Sequence, residues 1–377
     1  MIPITKPLTG DEEVHMAAEV IRSGWLTQGP KTAEFEKAVA EHLGAKHVVA
    51  VSSCTTALHL AVLLAGLQPG DEVIVPSYTF VATANALLYA GVRPIFGEID
   101  ERTYNLDPNK LSSLLTPRTK AILAVDQFGL PADLDVIQEF CKAHHLAFIE
   151  DAACAFGARY KDRRIGAQGN LITFSFHPRK SITTGEGGAF VTDDAALAER
   201  ARLLRSHGAS VTDAERHKAK GVIFEAYTEL GYNYRLSDVQ AAIGLAQLKR
   251  ADYILGRRQE LARRYDLKLK ALGWIDPPSV PSWAVHPYQT YAALLHANAP
   301  VERNTLIGRL AEKGISSRRG IPPIHLEPYM AGRLAQKVNL PVSEDVSKRT
   351  LILPLYPQMT DAEQDQVIEG LQSSSKP

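Results

Sequence analysis

One lysine stands in a setting suited to covalent chemistry. Lys180 lies in Ser175-Phe176-His177-Pro178-Arg179-Lys180-Ser181-Ile182-Thr183-Thr184-Gly185-Glu186-Gly187-Gly188. Apolar runs on either side, Leu171 to Phe176 and Ala189 to Thr192, read as short buried strands. Burial beside small residues disfavours an ammonium, lowers its pKa and frees the amine to attack a carbonyl. From this stretch alone, a solvated loop lysine is the competing reading. The glycines do not form a nucleotide P-loop, because no Lys-Ser/Thr pair follows Gly185-Glu186-Gly187-Gly188.

Three further loops carry chemistry. Val51-Ser52-Ser53-Cys54-Thr55-Thr56-Ala57 runs from a strand into hydroxyl-bearing residues that open a helix, where free N–H groups and the helix dipole favour an anion. Plain N-capping by Ser53 or Thr55 would use the same residues. Phe148-Ile149-Glu150-Asp151-Ala152-Ala153-Cys154 sets two carboxylates after a buried strand, and a partly buried carboxylate needs a positive partner. That partner is a salt bridge or helix start on one reading, and a protonated pyridine nitrogen on another. Pro76-Ser77-Tyr78-Thr79-Phe80 offers aromatics that pack in a core or cover a flat heterocycle. Ser175 caps a turn or meets a ligand. Taken jointly, an anion cradle, a carboxylate, an aromatic face and a lysine match the needs of pyridoxal 5′-phosphate (PLP).

These loops must be held by a sheet. From His47 onward, strands (Val48 to Val51, Glu72 to Val75, Pro94 to Ile99, Ala121 to Val125, Ala147 to Ile149) alternate with helices (Thr55 to Ala65, Phe80 to Tyr89, Leu134 to Ala143). Such alternation predicts an α/β fold: a three-layer arrangement with helices on both faces of a mostly parallel sheet. Ligands then lie beyond the carboxyl ends of the strands. Two helices precede the sheet, the first with Asp11 as candidate N-cap. A long helix is predicted from a cap at Ser237, with Gly256 as a possible break, after a polar stretch from Ala209 to Lys220. Pro277-Pro278-Ser279-Val280-Pro281 marks a change of composition. The expected division is 1–254 for an N-terminal arm and large domain, and 255–377 for a smaller α+β domain.

At 377 residues with 45% hydrophobic content, the chain can bury a substantial core. Lys+Arg and Asp+Glu both number 42, so charge gives no reason to expect nucleic acid or an acidic membrane as partner. No run approaches a membrane span and Met1 to Asp11 lacks a signal-peptide pattern. Cys54, Cys141 and Cys154 are scattered without metal-ligand spacing, which fits a reducing cytoplasm.

Several ordered motifs resemble the DegT/DnrJ/EryC1/StrS aminotransferases, a family of the aspartate-aminotransferase superfamily (fold type I) that acts on sugars. They are Ser23-Gly24-Trp25-Leu26-Thr27-Gln28-Gly29-Pro30, Thr55-Thr56-Ala57-Leu58-His59-Leu60, Pro76 to Phe80, Glu150 to Ala153, Ser175 to Lys180, Gly231-Tyr232-Asn233-Tyr234-Arg235-Leu236-Ser237-Asp238 and His325-Leu326-Glu327-Pro328-Tyr329. The resemblance implies that Lys180 tethers PLP covalently and moves the substrate proton, while Asp151 pairs with the ring nitrogen. It implies a phosphate held by Cys54, Thr55 and Ser175, Phe80 over the ring, and Asn233 reaching the phosphate of a partner subunit in a homodimer with shared sites. His325 corresponds to a position near a nucleotide-sugar, a surface histidine being the competing reading. Two positions depart from the usual pattern. Cys154 stands near the cofactor's phenolic oxygen where Gln, His or Glu is common, and Asp126 stands where histidine is frequent.

The implied reaction passes an amino group from L-glutamate (or glutamine) to a nucleotide-linked keto sugar, C4 of a 4-keto-6-deoxy sugar by resemblance of Ile2 to Pro7 and Ser23 to Pro30. C3-sugar or aminocyclitol amination, sugar dehydration and a regulatory protein without turnover are the alternatives. The dehydratases of the family replace the lysine with histidine, so Lys180 favours transamination.

Overall fold

The computed structural model describes residues 1–211, 224–334 and 337–375, so most of the polar stretch from Ala209 to Lys220 lies outside the described residues. The chain opens with α1 (Asp11–Ser23) and α2 (Pro30–Leu43). Gly10, not Asp11, is the N-cap of α1; Asp11 instead places its charge in the first turn, where the helix dipole favours it.

The central sheet has strands β1 (His47–Val51), β2 (Glu72–Pro76), β3 (Arg93–Gly97), β4 (Thr119–Val125) and β5 (Ala147–Asp151). A short ribbon of β6 (Arg159–Tyr160) and β7 (Arg163–Arg164) follows, then β8 (Leu171–Ser175) and β9 (Gly188–Thr192) complete the sheet. Its order is β1-β9-β8-β5-β4-β2-β3. From β8 to β3 every pair is parallel, and β9 runs antiparallel to both β8 and β1. The loop from Phe176 to Gly187 holds no crossover helix, which is why β8 and β9 pair as antiparallel neighbours. Two reversals restore the original direction, so β1, β8, β5, β4 and β2 all end at the same edge of the sheet. That edge collects all four candidate loops.

Alternate residues of each strand enter separate cores, as the two-residue period requires. Val48, Ala50, Ile74, Ile122, Ala124, Ile172 and Phe174 pack on one face. Val49, Val51, Val73, Val75, Ala121, Leu123 and Ile149 pack on the other against α3 (Cys54–Leu64) and α4 (Ala82–Tyr89). α5 (Leu134–Ala143) covers the first face and α6 (Ala195–Leu204) the second. The architecture is the α/β layering expected, matched by fold type I aminotransferases.

The helix capped by Ser237 runs Asp238–Lys249 and stops at Arg250, not Gly256. Arg250 leaves the helical region to reach Glu12 and Glu13 on α1, whereas Gly256 sits inside the next helix, Ala251–Lys270, with open space around it. This second helix joins two cores. Ala251 and Ile254 belong to the first, and Leu261, Ala262, Tyr265 and Leu269 to the second. The second core lies on an antiparallel sheet of β10 (Ile275–Asp276), β12 (Tyr291–Leu295), β14 (Thr350–Leu353) and β13 (Arg318–Arg319), in that order. β11 (Ala284–Val285) pairs with β6 instead. The N-terminal arm reaches over to this second body, with Ile2 buried in its core and bridged to Ile315.

Candidate active site

The start of α3 is built as an anion cradle. Ser53 caps the helix by accepting the Thr56 N–H at 3.2 Å. Among the described residues, no hydrogen bond engages the N–H groups of Cys54 and Thr55. These two donors sit in the first turn, where the dipole is positive. The glycine run explains itself here: a Cβ on Gly188 would come 2.5 Å from the Cys54 nitrogen, so glycine lets β9 pass against the helix start. The Cys54 thiol points to Thr173 Oγ1 of β8 at 3.8 Å, tying the cradle to the strand that ends at the buried Ser175.

Asp151 closes β5 and is almost fully enclosed. Its carboxylate accepts from Thr83 Oγ1 at 2.8 Å and from the Ala153 N–H at 3.2 Å. Thr83 in turn meets Thr79 Oγ1 at 3.0 Å. Burial raises the Asp151 pKa, while Thr83, Ala153 and the charge on Lys180 pull it back. A carboxylate has about four lone-pair sites, so these two bonds leave capacity for a further donor such as a ring N–H.

Lys180 is half-buried, and its Nζ donates to Cys154 Sγ at 3.1 Å. Burial works to lower its pKa, as expected from the sequence. The acidic groups facing it, Cys154, Cys54 and Asp151, outweigh burial and hold it above the ordinary lysine value. The sequence reading saw the desolvation and missed these neighbours. Without cofactor the amine is a cation, and its activation waits on what binds there. The Cys54 thiol is pushed well up, by burial first and then by Asp151, with Lys180 pulling the other way.

The fold thus brings Lys180, Asp151, Cys54, Thr55, Cys154 and Ser175 to one edge of the sheet. Phe80 flanks that edge on the loop after β2 and is 66% exposed, with a free ring face. Asn233 stands apart and exposed, in a segment that docks on the end of β1 through Ser52 N–H to Tyr234 O at 2.8 Å. His325 is buried, not a surface residue. Its Nδ1 faces Ser77 Oγ at 2.7 Å and its Nε2 faces Glu344 at 3.2 Å. Both ring nitrogens are engaged, so the ring braces the loop after β2 against the second body.

Sequence reasoning missed Thr83, which lies in the first turn of α4, four residues after Thr79 of the preceding loop. It also missed Arg318 on β13, whose guanidinium, with that of Arg179, brings positive charge near Cys154. A cavity of about 20 Å³ lies between these two arginines and Gln289.

PLP fits these residues. The cradle has donors for a phosphate, Asp151 has a free acceptor position, Lys180 is the one amine among them, and Phe80 offers an aromatic face. Among the described residues, no cluster of three or more His, Cys, Asp or Glu side chains is placed to hold a metal, and no helix is long and apolar enough to cross a membrane.

The layered α/β sheet, with a lysine and a carboxylate at its carboxyl edge, matches the fold of the fold type I aminotransferases. The chain belongs to the DegT/DnrJ/EryC1/StrS aminotransferase family, whose pattern matches residues 7–372. Spore coat polysaccharide biosynthesis protein SpsC of Bacillus subtilis is 40% identical, covering 100% of this chain and 97% of that protein. The structure of S. venezuelae DesV has TM-score 0.91 at 33% identity, over 100% of this chain and 99% of that one. The PLP form of Spr1654 from Streptococcus pneumoniae has TM-score 0.91 at 27% identity, covering 99% and 97% of the two chains. The protein is an aminotransferase.

Proposed function

We propose that this enzyme is a PLP-dependent sugar aminotransferase of the cytoplasm. It moves an amino group from L-glutamate (or glutamine) to a nucleotide-linked keto sugar, at C4 of a 4-keto-6-deoxy sugar. The observation that carries the reading is the meeting of Lys180, Asp151 and the uncommitted N–H groups of α3 at one sheet edge. Relatives named for polysaccharide and sugar chemistry support the acceptor class.

Bound PLP supplies an electron sink for the carbon bearing the amine and a carrier for the amino group. The residues do the rest. Cys54 and Thr55 N–H groups, with Ser175, hold the phosphate. Asp151 would pair with the ring nitrogen, and Thr83 holds its carboxylate in place. Lys180 Nζ anchors the cofactor, then carries a proton to and from the substrate carbon. Cys154 Sγ orients Nζ, and the exposed Phe80 ring would cover the cofactor. Arg179 and Arg318 are placed for an anionic substrate group. Asn233 serves the partner subunit of a homodimer, as its exposure and that of neighbouring Leu230 support.

Three measurements test this. The purified protein should be yellow, bleach with L-glutamate and regain colour with the right acceptor. A panel of nucleotide-linked keto sugars with mass detection identifies the product. Mixed dimers of Asn233 and Lys180 variants should regain activity if sites are shared. Absence of bleaching with any amino donor would overturn the reading.

A further inference from the structure

Behind Asp151 lies a second acidic feature that the proposed chemistry does not use. Asp126, just after β4, and Glu150, the residue before Asp151, are both fully buried. Asp126 Oδ1 accepts the Ala132 N–H at 2.9 Å, and Glu150 Oε2 accepts the Asn170 amide at 3.3 Å. Their other oxygens, Asp126 Oδ2 and Glu150 Oε1, are sealed from solvent and meet no donor among the described residues. Yet the register sets Glu150 beside Ala124, so its side chain leaves the same face of the sheet as Asp126 two residues on, and each carboxyl acts on the other at hydrogen-bonding range. Two ionised carboxylates cannot bond, and neither oxygen can be left bare in a dry interior without a penalty of about 1–3 kcal/mol. One proton between them resolves both problems. The groups acting on the pair are Asp151, the Asn170 amide and the Ala132 N–H, none of them a cation.

The pair is also joined to the active site through the backbone. The Asp126 N–H donates to the Asp151 carbonyl at 3.0 Å, and Glu150 immediately precedes Asp151 on the same strand. We propose that Asp126 and Glu150 share one proton and act as positioning residues for Asp151, fixing the strand end from which its carboxylate projects. What the pair does to cofactor binding rests on the proposed role of Asp151; the shared proton does not.

Burial pushes both carboxyls up; the charge of Glu150 drives Asp126 further, well above its ordinary value, while the hydrogen bonds from Asp126 and Asn170 pull Glu150 back to about 7. A carboxyl with a raised folded-state pKa binds its proton more tightly folded than unfolded. Its stabilising contribution is therefore complete below the unfolded value of 4.5 and is lost as pH rises through about 7. Asp126→Asn substitutes an amide donor for the shared proton and removes the Asp126 share of this pH dependence, leaving Glu150 to titrate.

The experiment uses the full chain in both its cofactor-free and PLP-loaded forms. Denaturant unfolding of the cofactor-free protein at pH 5 and pH 8 should show a loss for wild type that Asp126→Asn cuts to roughly half or less. Equal losses in both would overturn the shared proton. PLP affinity should fall about tenfold in Asp126→Ala, which leaves Glu150 without its donor, and return to within about threefold in Asp126→Asn. Wild-type affinity in the alanine variant, or an equal loss in both, would overturn the positioning role. If the alanine variant does not fold, Glu150→Ala against Glu150→Gln gives the same comparison from the other partner. A halved pH loss together with an Asp151→Asn variant of normal turnover would uphold the pair and sink the cofactor reading instead.

Discussion

Both bodies of this protein bury charge, and they do so in opposite ways. In the second body Arg258 is fully enclosed between the Ala251–Lys270 helix and the sheet. Its Nη1 donates to the carbonyls of Tyr288, Gln289 and Leu355 at 3.2, 3.3 and 3.2 Å. Burial lowers its pKa to about 10, which still leaves it a cation at neutral pH. Its partners are backbone dipoles that cannot titrate, so the arrangement is fixed once folded. At the carboxyl edge of the first sheet, the groups are the buried Asp151, Asp126 and Glu150 and the half-buried Cys54 and Lys180, and their neighbours are one another. Each protonation state there depends on the next. A clasp made of carbonyls serves stability, whereas a cluster of titratable groups responds to whatever binds or titrates within it.

The largest test of that contrast is Lys180→Ala. Turnover should fall roughly ten-thousandfold, because the variant loses both the cofactor anchor and the proton carrier. Borohydride should no longer fix cofactor mass to the chain, and retained covalent capture would mean another lysine is the anchor. Asp151→Asn should follow, with PLP still bound and turnover down by about a hundredfold to a thousandfold. In Asp151→Asn the unfolding free energy of the cofactor-free chain should hardly drop, since the change removes an acid that burial already disfavours.

Arg258→Met should behave in reverse. Three carbonyls lose their donor, so stability should fall by about 2–4 kcal/mol in denaturant unfolding. Turnover per folded molecule should stay near normal at a temperature where the variant is folded. If Arg258→Met lost turnover without losing stability, the division of labour between the two bodies would be wrong.

The difference between the bodies also governs what could be read from sequence. At the first sheet, apolar runs of parallel strands and the small residues after them are local signals, so β1, β2, β4, β5 and β8 were legible along with Lys180 and Asp151. The Ser237 capping box was legible for the same reason. Tertiary partners decided the rest. The helix break at Arg250 comes from acids on α1, and the engagement of His325 comes from Ser77 and Glu344, far away in sequence. β13 is two residues long and pairs with β14 at the edge of its sheet, so no periodicity could announce it. Acid pairing between Asp126 and Glu150 depends on β4–β5 register, which a single sequence does not display.

The smallest effect worth measuring lies at Thr83, where one hydroxyl separates the two ways of holding charge. Thr83 Oγ1 donates to Asp151 at 2.8 Å and lowers its pKa against the upward push of burial. Thr83→Val keeps the shape and removes that donor. With the ionised form less supported, the Asp151 pKa rises further, and a larger share of the enzyme carries a neutral acid at a given pH. Turnover depends on the ionised form, so the acid limb of the kcat/KM profile should move to higher pH by about one unit, with roughly tenfold lower activity on that limb. Thr83→Ser restores the hydroxyl and should return the limb to its wild-type position. Because Thr83 lies in the first body, the valine change should leave the Arg258 clasp and its contribution to unfolding untouched. An acid limb that stays in place in the valine variant would show that burial and Lys180 alone set the ionisation of Asp151, and the hydroxyl would then be a packing group.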